Sequence, residues 1–222
     1  MLEIIKTAIQ SRLKLAKVFL YLTGFAFLII TARLFITADK TLLFLIWNLF
    51  LAYIPLWISS IMKQMQISDY RTNLLLPMGL VWLVFFPNGP YIFTDYIHLT
   101  YGNSDYFILD VMTLTYFALV AFAASVISLM DIAEMMRKKS GKLPVTAIVG
   151  LICVLTSFGI YLGRDLRFNS WDVIVKPGAI AKETFMRLSH PESDMITLTA
   201  AGIIGAMLFM TYVIRKLFLI QK

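Results

Sequence analysis

The chain has 222 residues, of which 59% are hydrophobic and 15% charged, and its mean hydropathy is +0.80. A soluble domain averages about 45–50% apolar and about 25% charged residues, so this composition excludes an ordinary soluble protein and predicts a membrane protein. The net charge of +7 is spread over the ends of apolar segments, which argues against a nucleic-acid partner, and the single cysteine excludes an intramolecular disulfide.

Five apolar stretches are long enough to cross a bilayer as helices, which takes about 20 residues. They are residues 18–37, 42–62, 111–130, 144–162 and 195–214. A basic segment, residues 1–17, precedes the first stretch, and no small-residue cleavage pattern follows it. We therefore expect residues 1–17 to be a retained cytoplasmic segment rather than a cleaved signal peptide.

A sixth apolar run, residues 73–86, is too short to span by itself. Its 14 residues would extend about 21 Å as a helix, against about 30 Å of hydrocarbon. The run is followed by Pro87-Asn88-Gly89-Pro90, so we predict a broken third span over residues 72–98 that continues into an interfacial helix on the outer side. The chain is thus predicted to be an all-α, polytopic transmembrane helix bundle of about six spans in a single membrane domain.

Six spans place both termini on the same side of the membrane. That side carries 13 of the 20 basic residues and the opposite side carries 6, so the positive-inside rule predicts cytoplasmic termini. The longest outer connection, residues 163–194, contains a segment at 179–188 that favours a short amphipathic helix.

Polar residues follow the break in the third span. If an α-helix resumes after Pro90, Tyr91, Thr94, Asp95 and His98 share one face. An aspartate beside a histidine suits general acid–base chemistry, so Asp95 and His98 are candidate catalytic residues, with Asp110 at the outer end of the fourth span as a third. These three could alternatively hold a divalent metal, but the spacing matches no metal-binding motif and we predict no metal site.

A second polar group follows the fifth span, where Arg164, Arg167 and Trp171 recur at helical spacing. Gly159 and Gly163 before them allow a neighbouring helix to approach closely. Two arginine forks suit a phosphate, such as a lipid head group. The predicted substrate-binding residues from both groups are Asn88, Tyr91, Thr94, Arg164, Arg167, Asn169, Trp171 and Asp172.

Simpler interpretations remain open for these charges. The aspartates and arginines would also suit an ion-pair network that locks helix ends. Within the spans, Asn48 is predicted to hydrogen-bond across helices, and Arg33 is predicted to pair with an acid or to reach the head groups near Asp39.

Three motifs resemble a bacterial membrane-protein family catalogued as domain of unknown function 1361 (DUF1361). They are Trp47-Asn48, then Phe85-Phe86-Pro87-Asn88-Gly89-Pro90-Tyr91 followed by Thr94-Asp95-x-x-His98-Leu99, and Gly159-x-x-x-Gly163-Arg164 leading into Arg167-x-Asn169-Ser170-Trp171-Asp172. The resemblance implies a bacterial cytoplasmic membrane and no particular reaction. It supports as functional positions Asn88, Tyr91, Asp95, His98, Arg164, Asn169 and Asp172.

The leading functional hypothesis is an inner-membrane protein whose outward-facing polar cavity binds or processes an anionic lipid or lipid-linked substrate. Its expected partners are membrane lipids. An alternative is a non-enzymatic subunit or scaffold of an envelope assembly, with a membrane-protein partner or a second copy of the chain. A third is a small transporter, since broken helices are common in transporters. The sequence identifies no cofactor.

Overall fold

The computed structural model describes residues 2–67, 72–101, 104–139, 145–188 and 195–220, and over these ranges it contains helices and no strand. Short 3₁₀ helices at Thr41–Leu43, Thr72–Leu74, Ile92–Tyr101 and Ser104–Tyr106 join the α-helices. The α-helices are α1 (Leu2–Thr37), α2 (Phe44–Ile67), α3 (Leu75–Phe85), α4 (Asn88–Tyr91), α5 (Phe107–Lys139), α6 (Val145–Arg164), α7 (Asp172–Val175), α8 (Pro177–Leu188) and α9 (Met195–Ile220).

Six helical segments are long and apolar enough to cross a membrane, which confirms the predicted all-α polytopic bundle. They are Arg12–Thr37, Thr41–Ile67, Leu75–Leu99, Phe107–Arg137, Val145–Arg164 and Met195–Phe218. The helices extend beyond the predicted apolar stretches. At 33 residues α5 is about 50 Å long, so its polar ends reach past the hydrocarbon on either side.

Helix α5 is the centre of the bundle. Its fully buried face carries small side chains, among them Ala118, Ala121 and Ala124, which allow neighbouring backbones to come close. One apolar cluster joins this face to α1 and α2, and a second joins α5 to α3, α6 and α9. Ser128 links three helices, because it accepts a hydrogen bond from Trp82 Nε1 (2.7 Å) and donates one to the carbonyl of Pro55 (3.0 Å).

The chain after α3 turns at Phe86 and Pro87 and then passes through the short helix α4. Gly89 lies directly against α5: a Cβ at this position would stand 1.9 Å from the hydroxyl oxygen of Ser125. Only a glycine fits there without moving the serine. This contact anchors the turn on the central helix.

The segment after α4 differs from the expected α-helix. Ile92–Tyr101 is a 3₁₀ helix, and residues three apart are aligned in such a helix, so Ile92, Asp95 and His98 share a line. The predicted α-helical face of Tyr91, Thr94, Asp95 and His98 is therefore wrong. The hydroxyl of Thr94 donates to the carbonyl of Tyr91 (2.7 Å). The placement of this segment at the membrane interface stays a prediction.

Candidate functional site

Asp95 lies at the centre of the site, with only 1% of its surface exposed. Its Oδ1 accepts a hydrogen bond from Arg164 Nη1 (3.0 Å), and its Oδ2 accepts one from Asn48 Nδ2 (2.9 Å). His98 Nε2 is 3.9 Å from Oδ1, which is too far for a hydrogen bond. Both carboxylate oxygens are thus occupied by donors, as a buried charge requires.

Two glycines bring Arg164 to this carboxylate. A Cβ on Gly159 would stand 2.5 Å from Pro87 Cγ, and a Cβ on Gly163 would stand 3.3 Å from Tyr91 Cε2. The missing side chains let α6 rest directly on the turn between α3 and α4. Arg164, one residue beyond Gly163, therefore emerges beside Asp95.

The guanidinium of Arg164 is only partly satisfied by protein contacts. Its Nη1 serves Asp95 and approaches the hydroxyl of Tyr91 (3.4 Å), and its central carbon lies 5.9 Å from the centroid of the Tyr91 ring. Within the described residues, its Nε and Nη2 have no acceptor. The side chain is 14% exposed and lines a cavity, so these donors are available to a ligand.

The cavity has a volume of about 650 Å³, within the range of about 300–1,000 Å³ typical of small-molecule sites. Its apolar wall includes Trp47, Ile97 and Val173, all of which are exposed. Its polar wall contains Asn48, Asn88, Tyr91, His98, Arg164, Asp165, Arg167, Asn169, Ser170 and Thr197.

An apolar groove of about 420 Å³ adjoins this cavity under α8. Phe158, Pro177 and Phe185 line the groove, and Val173 and Ile180 line both the groove and the cavity. A ligand with a polar head and an apolar tail could therefore occupy the two spaces together. The sequence analysis did not predict that the groove adjoins the cavity. It predicted a short amphipathic helix at 179–188 but did not relate that helix to the polar residues.

The loop after α6 is held in place by its own polar side chains. Asn88 Nδ2 donates to the hydroxyl of Ser170 (2.8 Å) and to the carbonyl of Phe85 (2.8 Å), which ties the loop to the turn. Asp172 Oδ2 accepts the backbone N–H of Asn169 (2.8 Å). That hydrogen bond is the main cause of the lowered pKa of Asp172, and the ammonium of Lys176 at 3.4 Å contributes to it.

Arg167 lies in the same loop in a left-handed backbone conformation, with φ at 55°. Such a conformation costs a non-glycine residue of order 1–3 kcal/mol and is found mainly where the surrounding structure imposes it. Here it turns the chain at the end of α6 and leaves the exposed Arg167 side chain lining the cavity.

The structure brings most of the predicted site residues together and separates the others. Those lining the cavity are His98, Asn88, Tyr91, Arg164, Arg167 and Asn169. Asp95 lies behind Arg164 rather than in the wall. Three predicted binding residues are not part of the lining: Thr94 bonds to the backbone, Asp172 is buried in the loop, and Trp171 is exposed.

Asp110 belongs to a different cluster. Its Oδ1 accepts from Arg33 Nε (2.8 Å), and Arg33 also donates to Asp39 Oδ2 (2.9 Å), so the predicted pairing of Arg33 with an acid is confirmed. Hydrogen bonds from the hydroxyl and then the backbone N–H of Thr41, followed by the Arg33 guanidinium, lower the pKa of Asp39 to about 2. Asp110 therefore ties α1 to α5 and does not face the cavity.

No group of three His, Cys, Asp or Glu side chains in the described part of the chain is arranged to hold a metal ion. Sequence reasoning identified Asn48 as an interhelical hydrogen-bond donor but did not connect it with Asp95. It missed Ser170 and the contact of Gly89 with α5, since neither has a local signal. The ring of Phe44, whose centroid is 5.0 Å from that of His98, was missed for the same reason.

Comparison with family models identifies a family for this chain. A family described as "Protein of unknown function (DUF1361)" matches residues 47–213, which include every residue of the cavity wall named above. No curated protein and no solved structure matches the chain.

Proposed function

The chain belongs to the DUF1361 family, and we propose that it is a bacterial inner-membrane protein whose outward-facing cavity binds an anionic lipid or a lipid-linked anion. Both termini then lie in the cytoplasm, in keeping with the excess of basic residues on that side. The head group occupies the polar cavity, and the apolar tail follows the groove under α8.

The observation that carries this proposal is that a polar cavity and an apolar groove adjoin. Val173 and Ile180 form part of both walls, so the two spaces lie side by side at these residues. A soluble anion would use the cavity alone. A ligand that also fills the groove gains roughly 25 cal/mol for each Å² of apolar surface removed from water.

Arg164 and Arg167 are the proposed anion contacts. Guanidinium groups bind phosphate oxygens with paired N–H donors, and charge-assisted hydrogen bonds of this kind are about twice as strong as neutral ones. Asp95 acts as a positioning residue, because it fixes the direction of Arg164 from a buried location. Asn48 supports it by occupying the second carboxylate oxygen.

His98 is the proposed proton donor or acceptor if the ligand is chemically processed. Its side chain is 46% exposed and lines the cavity, whereas both oxygens of Asp95 are already hydrogen-bonded. The acid–base role first considered for the Asp95 and His98 pair thus falls to His98.

The test is mass spectrometry of envelope lipids from a deletion strain that carries the parent protein or a variant. The proposal predicts a lipid species that accumulates in the deletion strain and in strains carrying Asp95→Asn or Arg164→Gln. The same species should not accumulate in strains carrying the parent protein or the control variant Lys182→Gln. His98→Gln separates binding from processing, because it leaves both anion contacts in place. Identical lipid profiles in all strains, with the variants inserted at parental levels, would refute the proposal.

A second candidate function is a non-enzymatic subunit that docks a partner on α7. Large apolar side chains are exposed there: Ile174 is 73% exposed and Val175 69%, beside the exposed Trp171. A partner that co-purifies with the parent and is lost with Trp171→Ala, while Arg164→Gln still retains it, would favour docking. Unchanged co-purification with Trp171→Ala would exclude α7 as the docking surface.

A further inference from the structure

The opposite end of the bundle contains a second cavity that the proposed function does not use. Helix α6 relates the two ends: it finishes at Arg164 in the candidate site, and near its start Thr146 accepts a hydrogen bond from Lys216 (2.7 Å) in the wall of the second cavity. This cavity has a volume of about 390 Å³ and lies where α1, α2, α5 and α9 meet. Its wall carries five basic residues and two acidic ones.

The two acids are already engaged by two of the bases. Arg12 makes a two-pronged ion pair with Asp131 (2.5 and 2.6 Å), and Lys63 donates to Asp131 (2.9 Å) and to Glu134 (2.6 Å). These contacts account for two positive and two negative charges. Three cations therefore remain in excess around the cavity.

The excess cations lie where a ligand can reach them. Arg137 and Arg215 are exposed, and among the described residues no carboxylate is paired with either. Within the described part of the chain, Lys216 is bonded to the neutral hydroxyl of Thr146 and to no carboxylate. Because Arg137 and Lys216 stand at or near the ends of membrane-spanning segments, this charge is at the level of lipid head groups.

An apolar groove of about 770 Å³ leads away from this cavity between α1 and α2. Arg12 and Leu15 line both the cavity and the groove, so the two spaces adjoin at these residues. Below them the groove is walled by apolar and aromatic side chains such as Phe19, Phe27 and Trp57. Its direction follows α1 into the membrane.

We propose that this end of the bundle is a binding site for an anionic phospholipid, with the phosphate between Arg137 and Arg215 and one acyl chain in the groove between α1 and α2. The surplus positive charge selects an anionic head group over a neutral one. The adjoining apolar groove between α1 and α2 can hold an acyl chain, so it favours a lipid over a free phosphate. The site is independent of the outward-facing cavity, since the two have no wall residue in common.

The test is lipid binding to the purified full-length chain, followed by native mass spectrometry in mild detergent. Phosphatidylglycerol is compared with phosphatidylcholine of the same acyl chains, and with soluble glycerol phosphate. Each arginine in direct contact with the phosphate should strengthen binding about five-fold or more, so Arg137→Gln/Arg215→Gln is expected to weaken phosphatidylglycerol binding at least about thirty-fold. Phosphatidylcholine binding should be unchanged.

The matched control is Lys14→Gln/Lys17→Gln, which removes two exposed positive charges from the same end of the bundle but outside both cavities. Neither lysine lines the cavity, so no contact with the phosphate is lost and phosphatidylglycerol binding should stay within about two-fold of the parent. An equal loss in the control and the arginine variant would mean that only diffuse charge attracts the lipid, and would overturn the site.

A third variant, Ala16→Trp, tests the groove, because Ala16 is an exposed residue of its wall. Filling the groove should weaken phosphatidylglycerol binding while the arginines remain in place. Parental binding by Ala16→Trp, or binding of glycerol phosphate as tight as that of the lipid, would overturn the lipid assignment. A variant is compared only if its helix content matches that of the parent by circular dichroism.

Discussion

Replacing Asp95 by asparagine should destabilise the protein through Arg164. The carboxylate offers one oxygen to Arg164 and the other to Asn48, whereas an amide has a single carbonyl oxygen for the two donors. Its NH₂ group then faces one of those donors. Asp95→Asn therefore leaves a guanidinium inside the bundle without its counter-charge.

The magnitude follows from the burial of the pair. Breaking a buried ion pair by removing one partner costs about 3–5 kcal/mol, and the lower end applies here because the side chain of Arg164 is 14% exposed. For a chain of this size, about 3 kcal/mol corresponds to a fall in unfolding temperature of about 6–12 °C. The control Lys182→Gln, which removes an exposed charge, should change it by less than about 2 °C.

The assay can use the single cysteine as a reporter. Cys153 is buried, so a thiol-reactive fluorophore labels it only as the chain unfolds in detergent. The double variant Asp95→Asn/Arg164→Gln removes both charges. Its loss of unfolding free energy should be about 1–2 kcal/mol smaller than the sum of the losses in the two single variants. If Asp95→Asn melts within about 2 °C of the parent, or if the two single effects simply add, Arg164 does not depend on Asp95 and this account of the site is wrong.

Two further predictions concern packing and pH. Gly159→Ala should lower the free energy of unfolding by about 1–3 kcal/mol, because its Cβ would stand 2.5 Å from Pro87 Cγ. The control Gly24→Ala has nothing within 4 Å of its Cβ and should be neutral or slightly stabilising. Equal unfolding temperatures for the two variants would contradict the close approach of α6 to Pro87. The pKa of Asp39 is lowered from 3.8 to about 2, so its carboxylate stabilises the folded state above about pH 4 and this contribution is lost as the pH falls through about 2. Asp39→Asn should accordingly lower the unfolding temperature more at pH 5 than at pH 2. If the difference in unfolding temperature between variant and parent is the same at both pH values, the ionisation of this carboxylate is not linked to folding.

Local sequence features were sufficient for the architecture. Long apolar runs have few alternatives to a transmembrane helix, because every backbone polar group must be hydrogen-bonded within the hydrocarbon. The six spans and the helix near 179–188 follow from this constraint and from local composition. The pairing of Arg33 with an acid was predictable in the same way, since a charge inside a span requires a counter-charge.

The site depended on contacts between residues far apart in the sequence. Asn48, Asp95 and Arg164 are brought together by three different helical segments, and the glycines at 159 and 163 indicated a close approach without identifying Pro87 and Tyr91 as the neighbours. Asp110 carried the same sequence signal as Asp95, but the fold paired it with Arg33 instead. From the residue types and their positions beside apolar runs it followed that these charges need partners, because burying an isolated charge is costly. Only the packing of the helices decided which partner each charge received and which donors were left facing a cavity.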